Sequence, residues 1–254
     1  MDEEPKLKMP DLMVPNALRK GRSPREGYQR GWGLQFGPLK DQVRAHPLFL
    51  RALQAAEGRS ILESSKLENL FVIIAAFLQN LASQNVIEFG VFRGGSSLFM
   101  ATLLAELYPD ARMYCLDTFS GMPETDKRID AHSKGDFRDA DLPGFRDRIR
   151  LLDLKNVEIV EGRFEDTFPT VASRGVKFAL SHIDCDIYSA VKFSQDAVWD
   201  HMVSGGYLVF DDATVSSCIG ATQAVEELIM QRKLHSEQIW PHFVFRANLA
   251  ETPL

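Results

Sequence analysis

The chain has 254 residues, a length that suits one α/β domain with additions, and its hydrophobic fraction of 45% is typical of a protein with a full core. Its 29 basic and 35 acidic residues give a formal net charge of −6, which argues against binding to phosphate backbones, so no nucleic-acid partner is expected. The longest apolar run, at 71–78, is much shorter than the roughly 20 residues of a membrane span, so no membrane partner is expected either.

The cysteine pattern and the N-terminal residues bear on location. Cys115, Cys185 and Cys218 cannot all pair and lack CxxC spacing, and the polar, proline-broken start does not resemble a secretory signal. Free thiols are typical of a reducing compartment, so we predict a cytoplasmic protein.

The N-terminal residues, 1–45, are rich in proline, glycine and charge, and we predict an irregular arm there. Residues 46–254 are then expected to form a single domain. Two helices are predicted near 47–58 and 66–82.

Short apolar runs alternate with helix-like stretches through the rest of the chain. The runs are NVIEFG (85–90), ARMYCLD (111–117), NVEIVEG (156–162), VKFALSHID (176–184) and GGYLVFDD (205–212). The helix-like stretches lie near 96–107, 165–173, 187–201 and 219–231. This alternation predicts an α/β fold of the Rossmann-like kind, with a mostly parallel sheet and helices on both faces.

Two further segments interrupt or end this pattern. The charged insertion around 119–153 is too long for an ordinary connection, and we predict a lid with one helix near 144–153. The segment SEQIWPHFVFRA, at 236–247, is typical of a closing hairpin at the antiparallel edge of the sheet.

A glycine-rich turn follows the first predicted strand, with the spacing E-x-G-x-x-x-G-G from Glu88 through Gly90 and Gly94, just before Ser96. Glycines let the backbone approach a ligand, and the helix that follows offers free N–H groups to an anion. The spacing differs from the dinucleotide pattern G-x-G-x-x-G, so it favours a ligand with a carboxylate over one with a pyrophosphate. A turn used only for packing is the alternative.

Acidic and polar residues after the next two strands favour an adenosine-type cofactor. Asp117 ends the second strand, where a carboxylate can accept hydrogen bonds from both ribose hydroxyls, although it could instead serve a turn or cap a helix. Gly162 and Arg163 follow the third strand and would border the adenine. Phe164 could contact the adenine or belong to the core.

Four carboxylates follow the fourth and fifth strands, at Asp184, Asp186, Asp211 and Asp212. Neighbouring parallel strands would bring them together, where like charges repel unless a cation or proton neutralises them. Oxygen-only ligands suit Mg²⁺. Singly, Asp186 could instead cap the next helix and Asp212 could form an Asx turn.

The motifs VIEFGVFRGGSS, LDTFSGMPET, EGRFEDTFP, HIDCDIYSAV, GGYLVFDD and CIGATQAVEEL occur in this order. Over about residues 60–247 the chain resembles the macrocin O-methyltransferase family, whose members methylate hydroxyls, often on deoxysugars of macrolide and aminocoumarin antibiotics. The resemblance implies a seven-stranded methyltransferase sheet and the cofactors S-adenosylmethionine and Mg²⁺.

The resemblance also implies roles for particular residues. Asp184, Asp211 and Asp212 would bind Mg²⁺, and Asp186 would be the general base. The S-adenosylmethionine pocket would be lined by Glu88, Gly90, Gly94, Ser96, Asp117, Thr118, Ser120, Gly162, Arg163 and Asp184. Family members commonly carry a tyrosine directly after the D-D pair, and here the residue is Ala213, at a position that could border the acceptor.

The resulting hypothesis is an Mg²⁺-dependent O-methyltransferase acting on a sugar or vicinal-diol hydroxyl of a small natural-product acceptor, with a homodimer as a possible assembly. A metal-dependent methyltransferase for catechols or phenols is the nearest alternative. A nicotinamide-dependent oxidoreductase and a noncatalytic module that binds S-adenosylmethionine are alternatives from other classes.

Overall fold

The computed structural model of the protein describes residues 39–248, which build a six-stranded sheet with helices on both faces. The strands are β1 Val86–Phe89, β2 Met113–Asp117, β3 Val157–Glu161, β4 Phe178–Ile183, β5 Met202–Phe210 and β6 Phe243–Arg246. Their order is β3-β2-β1-β4-β5-β6, with β6 antiparallel to β5 and all other pairs parallel. The predicted α/β fold is confirmed. The order reverses between β1 and β4, which is where open α/β sheets bind ligands.

All the helices after the first agree with the predicted stretches. They are α1 Leu39–Ala45, α2 Pro47–Ala56, α3 Ser64–Val72, α4 Gly95–Leu107, α5 Leu142–Leu151, α6 Phe164–Ala172, α7 Tyr188–Trp199 and α8 Ile219–Arg232. The apolar run predicted as the end of one long helix continues α3 as a π-helical turn, Ile73–Phe77, and a 3₁₀ turn, Leu78–Asn80. Apolar side chains of α2, α3 and α4 cover one face of the sheet, while α7 and α8 cover the other.

Two expectations about the ends of the domain differ from the structure. Residues 39–45, predicted as part of an irregular arm, form α1, because Val43 is fully buried against the core; residues 1–38 of that arm lie outside the described residues. The prediction of a seventh strand is wrong for the described part of the chain, whose sheet has six strands. The first arm of the expected hairpin contributes only one bridge, from Gln238 to Val244, because Pro241 has no N–H with which to extend a ladder.

The insertion between β2 and α5 has no strand or α-helix from residue 118 to 141, and then forms the predicted helix as α5. That helix begins where the Asp141 carboxylate accepts a hydrogen bond from the Gly144 N–H at 3.0 Å. The middle of the insertion is tied to the start of α7 by Asp130, whose carboxylate accepts from the Tyr188 N–H at 2.9 Å. The insertion is therefore tied to the domain at its middle as well as at α5.

A buried ion pair joins β1 to β4 beneath the ligand-binding edge. Glu88 and His182 are direct partners in the strand register, both fully buried, with His182 Nδ1 2.8 Å from Glu88 Oε1. The Ser97 hydroxyl donates to the second Glu88 oxygen. Burial alone would lower the pKa of His182, but the carboxylates of Asp211 and Glu88 outweigh it and raise the pKa to about 9. The pair therefore carries a buried imidazolium.

The turn after β1 fits only glycine at its first position. Gly90 has a φ of +90°, and a Cβ there would lie 1.7 Å from the carbonyl oxygen of Asp184. The backbones of the two strand ends thus approach more closely than any side chain allows.

Substitution of Gly90 tests this close approach. Gly90→Ala should lower the free energy of unfolding by about 3 kcal/mol or more, because a left-handed φ and a backbone clash add together. Gly135→Ala is the matched control, since Gly135 has a φ of +84° and no atom within 4 Å of the added Cβ, so it should cost about 1 kcal/mol. Urea unfolding measures both. Equal losses would show that only backbone strain matters.

The buried imidazolium predicts a pH-dependent stability. Between about pH 6.5 and about pH 9 the folded protein keeps a proton on His182 that the unfolded chain releases. The free energy of unfolding should therefore fall as pH rises through this window, by up to about 1.4 kcal/mol per pH unit. Urea unfolding in EDTA, with His182→Gln as the comparison, measures this contribution. Parallel pH profiles for the two proteins would contradict it.

Candidate active site

The carboxyl ends of β1, β2, β4 and β5 open into a single cavity of about 580 Å³. This volume is in the range of pockets that hold a cofactor and a small second ligand. Residues 59–66, at the start of α3, form one wall, and the insertion covers another with Met122, Pro123 and Phe137. The cavity therefore lies at the switch point of the sheet, under the predicted lid.

Most of the predicted site residues line this cavity. They are Gly90, Ser96, Asp117, Thr118, Arg163, Asp184, Asp186, Asp211 and Asp212. Glu88, Gly94, Ser120 and Gly162 lie outside the lining.

The residues outside the lining have other contacts. Both oxygens of Glu88 are used by Ser97 and His182, below the cavity. A Cβ on Gly94 would lie 2.1 Å from the Phe145 ring, so this glycine permits packing of α5. Neither residue lines the cavity, and the predicted contact of each with the cofactor stays a prediction.

Ser120 and Gly162 also belong to turns around the cavity. The Ser120 N–H donates to Thr118 Oγ1 at 3.2 Å, and its side chain is exposed. The Gly162 N–H donates to the carbonyl of Asp117 at 2.9 Å, with a φ of +142°. Both support the shape of the strand ends rather than forming the cavity wall.

Asp117 holds the glycine-rich turn through its carboxylate. Oδ2 accepts from the N–H groups of Val91 at 2.7 Å and Phe92 at 2.8 Å, and Oδ1 accepts from Phe119 at 2.7 Å. Asp117 therefore does serve a turn, the alternative role that was considered for it from the sequence. A carboxylate has about four lone-pair positions, so one remains for a ligand hydroxyl in the cavity that Asp117 lines.

Three of the four predicted carboxylates meet at the strand ends. Asp184, Asp211 and Asp212 can each offer an oxygen such that all three lie within 4.8 Å of one another. Burial, followed by repulsion from neighbouring carboxylates, raises the pKa values of Asp184 and Asp212 well above the usual range. The cluster therefore stabilises any cation that enters it.

Asp211 differs because positive and polar groups surround it. Burial acts to raise its pKa, but His182 and His242 outweigh burial and hold the pKa well below the usual range. His242 Nε2 lies 3.0 Å from Oδ1, and His182 Nε2, at 3.7 Å, acts through its charge. The Lys66 ammonium donates to Oδ2 and, at 3.1 Å, to the Asp211 carbonyl oxygen.

Lys66 and His242 were not identified from the sequence. Lys66 is 145 positions away from Asp211 along the chain, and no motif connects them. His242 is held from behind by Asn69, with Nδ2 3.0 Å from His242 Nδ1. Only the tertiary structure brings these groups to the strand ends.

The cluster fits a divalent cation such as Mg²⁺. Its donors are carboxylate oxygens, which this hard ion prefers. Burial and neighbouring carboxylates disfavour the ionised forms of Asp184 and Asp212, and a bound cation would favour those forms again. The two hydrogen-bonded oxygens of Asp211 still have lone pairs free, so its contacts with Lys66 and His242 orient it without excluding an ion.

Asp186 lies beside this cluster in a backbone conformation uncommon for aspartate, with a φ of +59°. Its N–H donates to Asp212 Oδ2 at 2.8 Å. It does not cap α7, whose N-cap residue is Ile187, so the capping alternative is wrong. Burial raises the pKa of its carboxyl group, and its side chain remains 19% exposed at the cavity.

Ala213, where family members commonly carry tyrosine, is buried and lies outside the cavity lining. Its carbonyl oxygen accepts from Thr222 Oγ1 at 2.9 Å. The position does not border the cavity in this chain, so the expectation that it could border the acceptor is not met.

The predictions about the cysteines and about membrane spans can be compared with the described residues. Cys115, Cys185 and Cys218 are all free and buried, as predicted. Among residues 39–248, no helix combines the length and apolar character needed to span a membrane.

Comparisons with known proteins agree with the fold and the strand-end motifs. The family model for macrocin O-methyltransferase (TylF) matches residues 54–240. The 8-demethyl-8-(2,3-dimethoxy-alpha-L-rhamnosyl)-tetracenomycin-C 4'-O-methyltransferase of Streptomyces olivaceus is 29% identical over 164 residues, which cover 60% of this chain and 62% of that protein, less than two thirds of its length. The demethyldecarbamoylnovobiocin O-methyltransferase of Streptomyces niveus is 25% identical over 182 residues, 68% of each chain.

A solved structure shows the same fold. The O-methyltransferase NovP superposes with a TM-score of 0.61 at 22% identity, covering 73% of this chain and 80% of that one. The family match spans most of the chain and includes the glycine-rich turn and all four strand-end carboxylates. The chain therefore belongs to the macrocin O-methyltransferase family.

Proposed function

We propose that the protein is an S-adenosylmethionine-dependent, Mg²⁺-dependent O-methyltransferase that acts on a sugar or other vicinal-diol hydroxyl of a small natural product. The observation that carries this proposal is that one cavity contains both the glycine-rich turn with Asp117 and the carboxylate cluster with Asp186. A cofactor site and a proton-accepting, cation-binding site therefore open to each other. Family membership and the O-methyltransferase names of the relatives support the same reaction.

The cofactor side of the cavity suits a nucleoside with an amino-acid tail. Asp117 retains a lone pair for a ribose hydroxyl, and Ser96 lies in the first turn of α4, whose N–H groups suit a carboxylate. Arg163 and Phe164 border the same side, after β3. Phe164 stacks edge-to-face on Phe89, with ring centroids 5.3 Å apart, so its position is fixed by the core while it faces the cavity.

The acceptor side must hold an oxygen in line with the methyl group and remove its proton. Bound by Asp184, Asp211 and Asp212, Mg²⁺ would make an acceptor hydroxyl more acidic. Asp186 would take the proton, and the donation of its N–H to Asp212, which keeps it beside the cluster, supports this role. Burial shifts its pKa upward, toward the operating pH, which suits a general base.

The insertion would exclude water from the reaction. Met122, Pro123 and Phe137 place apolar surface over the cavity, and a dry site strengthens the interactions of the carboxylates with cation and acceptor. Phe137 is held by Phe92, with ring centroids 5.3 Å apart. The ordering of acceptor and cofactor then supplies the proximity contribution to the rate.

A phenol or catechol acceptor is the second candidate. Phe92 and Phe137 line the cavity and offer aromatic contacts to a flat acceptor. A comparison of catechol and glycosylated acceptors at equal concentration distinguishes the two, because both share the cofactor and the cation.

Cofactor class is tested by calorimetry. The purified protein should bind S-adenosylmethionine with micromolar affinity and should not bind NAD, because the turn lacks the G-x-G-x-x-G spacing. EDTA should change the affinity little, since the cation site faces the acceptor. Binding of NAD in place of S-adenosylmethionine would overturn the proposed function in favour of the oxidoreductase alternative.

The roles of two carboxylates can be separated. Asp186→Asn should lower kcat by about 10²–10⁴-fold because the base is lost, while Mg²⁺ still raises the Tm of the variant. Asp212→Asn should abolish the Mg²⁺-dependent rise in Tm. Methylation of an acceptor found by screening and thermal unfolding measure the two effects.

An exposed carboxylate on α5 supplies the matched control for these variants. Asp147→Asn removes a carboxylate that is 66% exposed and should change neither kcat nor the effect of Mg²⁺. Wild-type turnover by Asp186→Asn would exclude this residue as the base.

A further inference from the structure

We infer that His132, Asp186 and Cys218 form a second metal site, which binds Zn²⁺ and fastens the insertion over the cavity. The residues come from three separate elements: the insertion, the turn after β4 and the N-cap of α8. None of the three belongs to the Asp184, Asp211 and Asp212 cluster, although the site adjoins it. The Cys218 sulfur lies 3.9 Å from Asp212 Oδ1.

The distances among the three donor atoms match those around a tetrahedral zinc ion. His132 Nε2 lies 3.5 Å from Asp186 Oδ1, Asp186 Oδ1 lies 3.6 Å from Cys218 Sγ, and Cys218 Sγ lies 3.8 Å from His132 Nε2. With zinc bonds of about 2.3 Å to sulfur and about 2.0–2.2 Å to nitrogen and oxygen, tetrahedral ligands are roughly 3.3–3.6 Å apart. All three observed separations are within a few tenths of an ångström of that range.

Hydrogen bonding explains this arrangement less well. The distance from His132 Nε2 to Asp186 Oδ1 is beyond the usual 2.7–3.2 Å of an N–H···O bond. The contacts of the Cys218 sulfur, at 3.6 Å to Asp186 Oδ1 and 3.8 Å to His132 Nε2, have the length of long hydrogen bonds to sulfur. Three donor atoms that converge without close pairwise bonds are typical of ligands around a shared ion.

The donor types select the ion. One thiolate, one imidazole and one carboxylate suit zinc, whereas Mg²⁺ prefers oxygen ligands alone. Three protein ligands leave a fourth position for water. On binding, the Cys218 thiol gives its proton to the solvent and the sulfur bonds to the ion.

The surroundings of His132 support a ligand role. Nε2 faces the other two donors, while Nδ1 faces the Asp136 carboxylate at 3.4 Å. A carboxylate behind the second ring nitrogen is the usual means of orienting a histidine that binds metal. The ring also packs on Phe137, with centroids 5.6 Å apart, so the imidazole is held in place by its own segment.

Occupancy would have a functional consequence that rests on the proposed function. Zinc bound to Asp186 would occupy the proton acceptor, and zinc bound to His132 would hold the insertion against the start of α8. The ion would therefore inhibit methyl transfer. Metal binding itself does not depend on that reaction.

Cobalt is the probe for the site because Co²⁺ accepts the same ligands as zinc and absorbs light when a thiolate binds it. Full-length protein, freed of metal, should bind Co²⁺ at this site, in addition to any Co²⁺ held by the Asp184, Asp211 and Asp212 cluster, and develop the thiolate-to-cobalt absorption band. Zn²⁺ equimolar with the bound Co²⁺ should remove the band, while excess Mg²⁺ should not. Cys218→Ser should lose the band. His132→Ala should keep it but weaken Co²⁺ binding by about tenfold or more, the equivalent of about 1.4 kcal/mol.

Cys185→Ala is the matched control, because Cys185 is buried near the same strand end and belongs to none of the clusters of possible metal ligands. It should retain the band. The inference is overturned if the wild-type protein shows no thiolate band, or if the band survives Cys218→Ser and disappears in Cys185→Ala. The readout is independent of S-adenosylmethionine and acceptor, so a failure of the proposed reaction would leave this result intact.

Discussion

The repulsion among the carboxylates at the ends of β4 and β5 is the constraint on which the rest of this site depends. Asp184, Asp211 and Asp212 are brought within a few ångströms by the parallel strand pairing. Three ionised carboxylates at that distance would oppose folding without compensation. The domain supplies compensating groups around Asp211. Lys66 contacts one carboxylate oxygen, and the histidines His182 and His242 face the other. A cation bound among these carboxylates would relieve the same repulsion, which is the physical basis of the proposed Mg²⁺ site.

The compensating groups contact mainly Asp211, and the pKa values of the carboxylates therefore differ. Asp211 is surrounded by positive and hydrogen-bonding groups, so it stays ionised, while Asp184 and Asp212 have pKa values raised by burial and repulsion. Asp186 stands slightly apart, partly exposed and facing the insertion. This difference in surroundings matches the two proposed roles, a cation-binding set and a separate proton acceptor. Asp186 Oδ1 is also within reach of His132 and Cys218, at 3.5 Å and 3.6 Å.

Much of the architecture was predictable from residue pattern. Buried parallel strands read as continuous apolar runs, and each one found here begins or ends within a few residues of its predicted bounds. The errors have physical causes: α1 forms because tertiary packing buries Val43, and the hairpin is truncated at a proline. Glu88 shows the limit for site residues. Its position at a strand end predicted a ligand contact, but strand position does not reveal that Ser97 and His182 use both of its oxygens.

Residue pattern was enough to predict the succession of strands and helices along the chain, the glycine-dependent turn at position 90 and the grouping of four acidic residues at two strand ends, because these depend on local period and local backbone conformation. Tertiary structure alone decided which side chains face the cavity and which cations and histidines surround Asp211. It also brought His132 from the insertion to Asp186 and Cys218, from other parts of the chain. Contacts between residues this far apart in sequence depend on how the whole sheet and its insertion pack, and no local pattern encodes them.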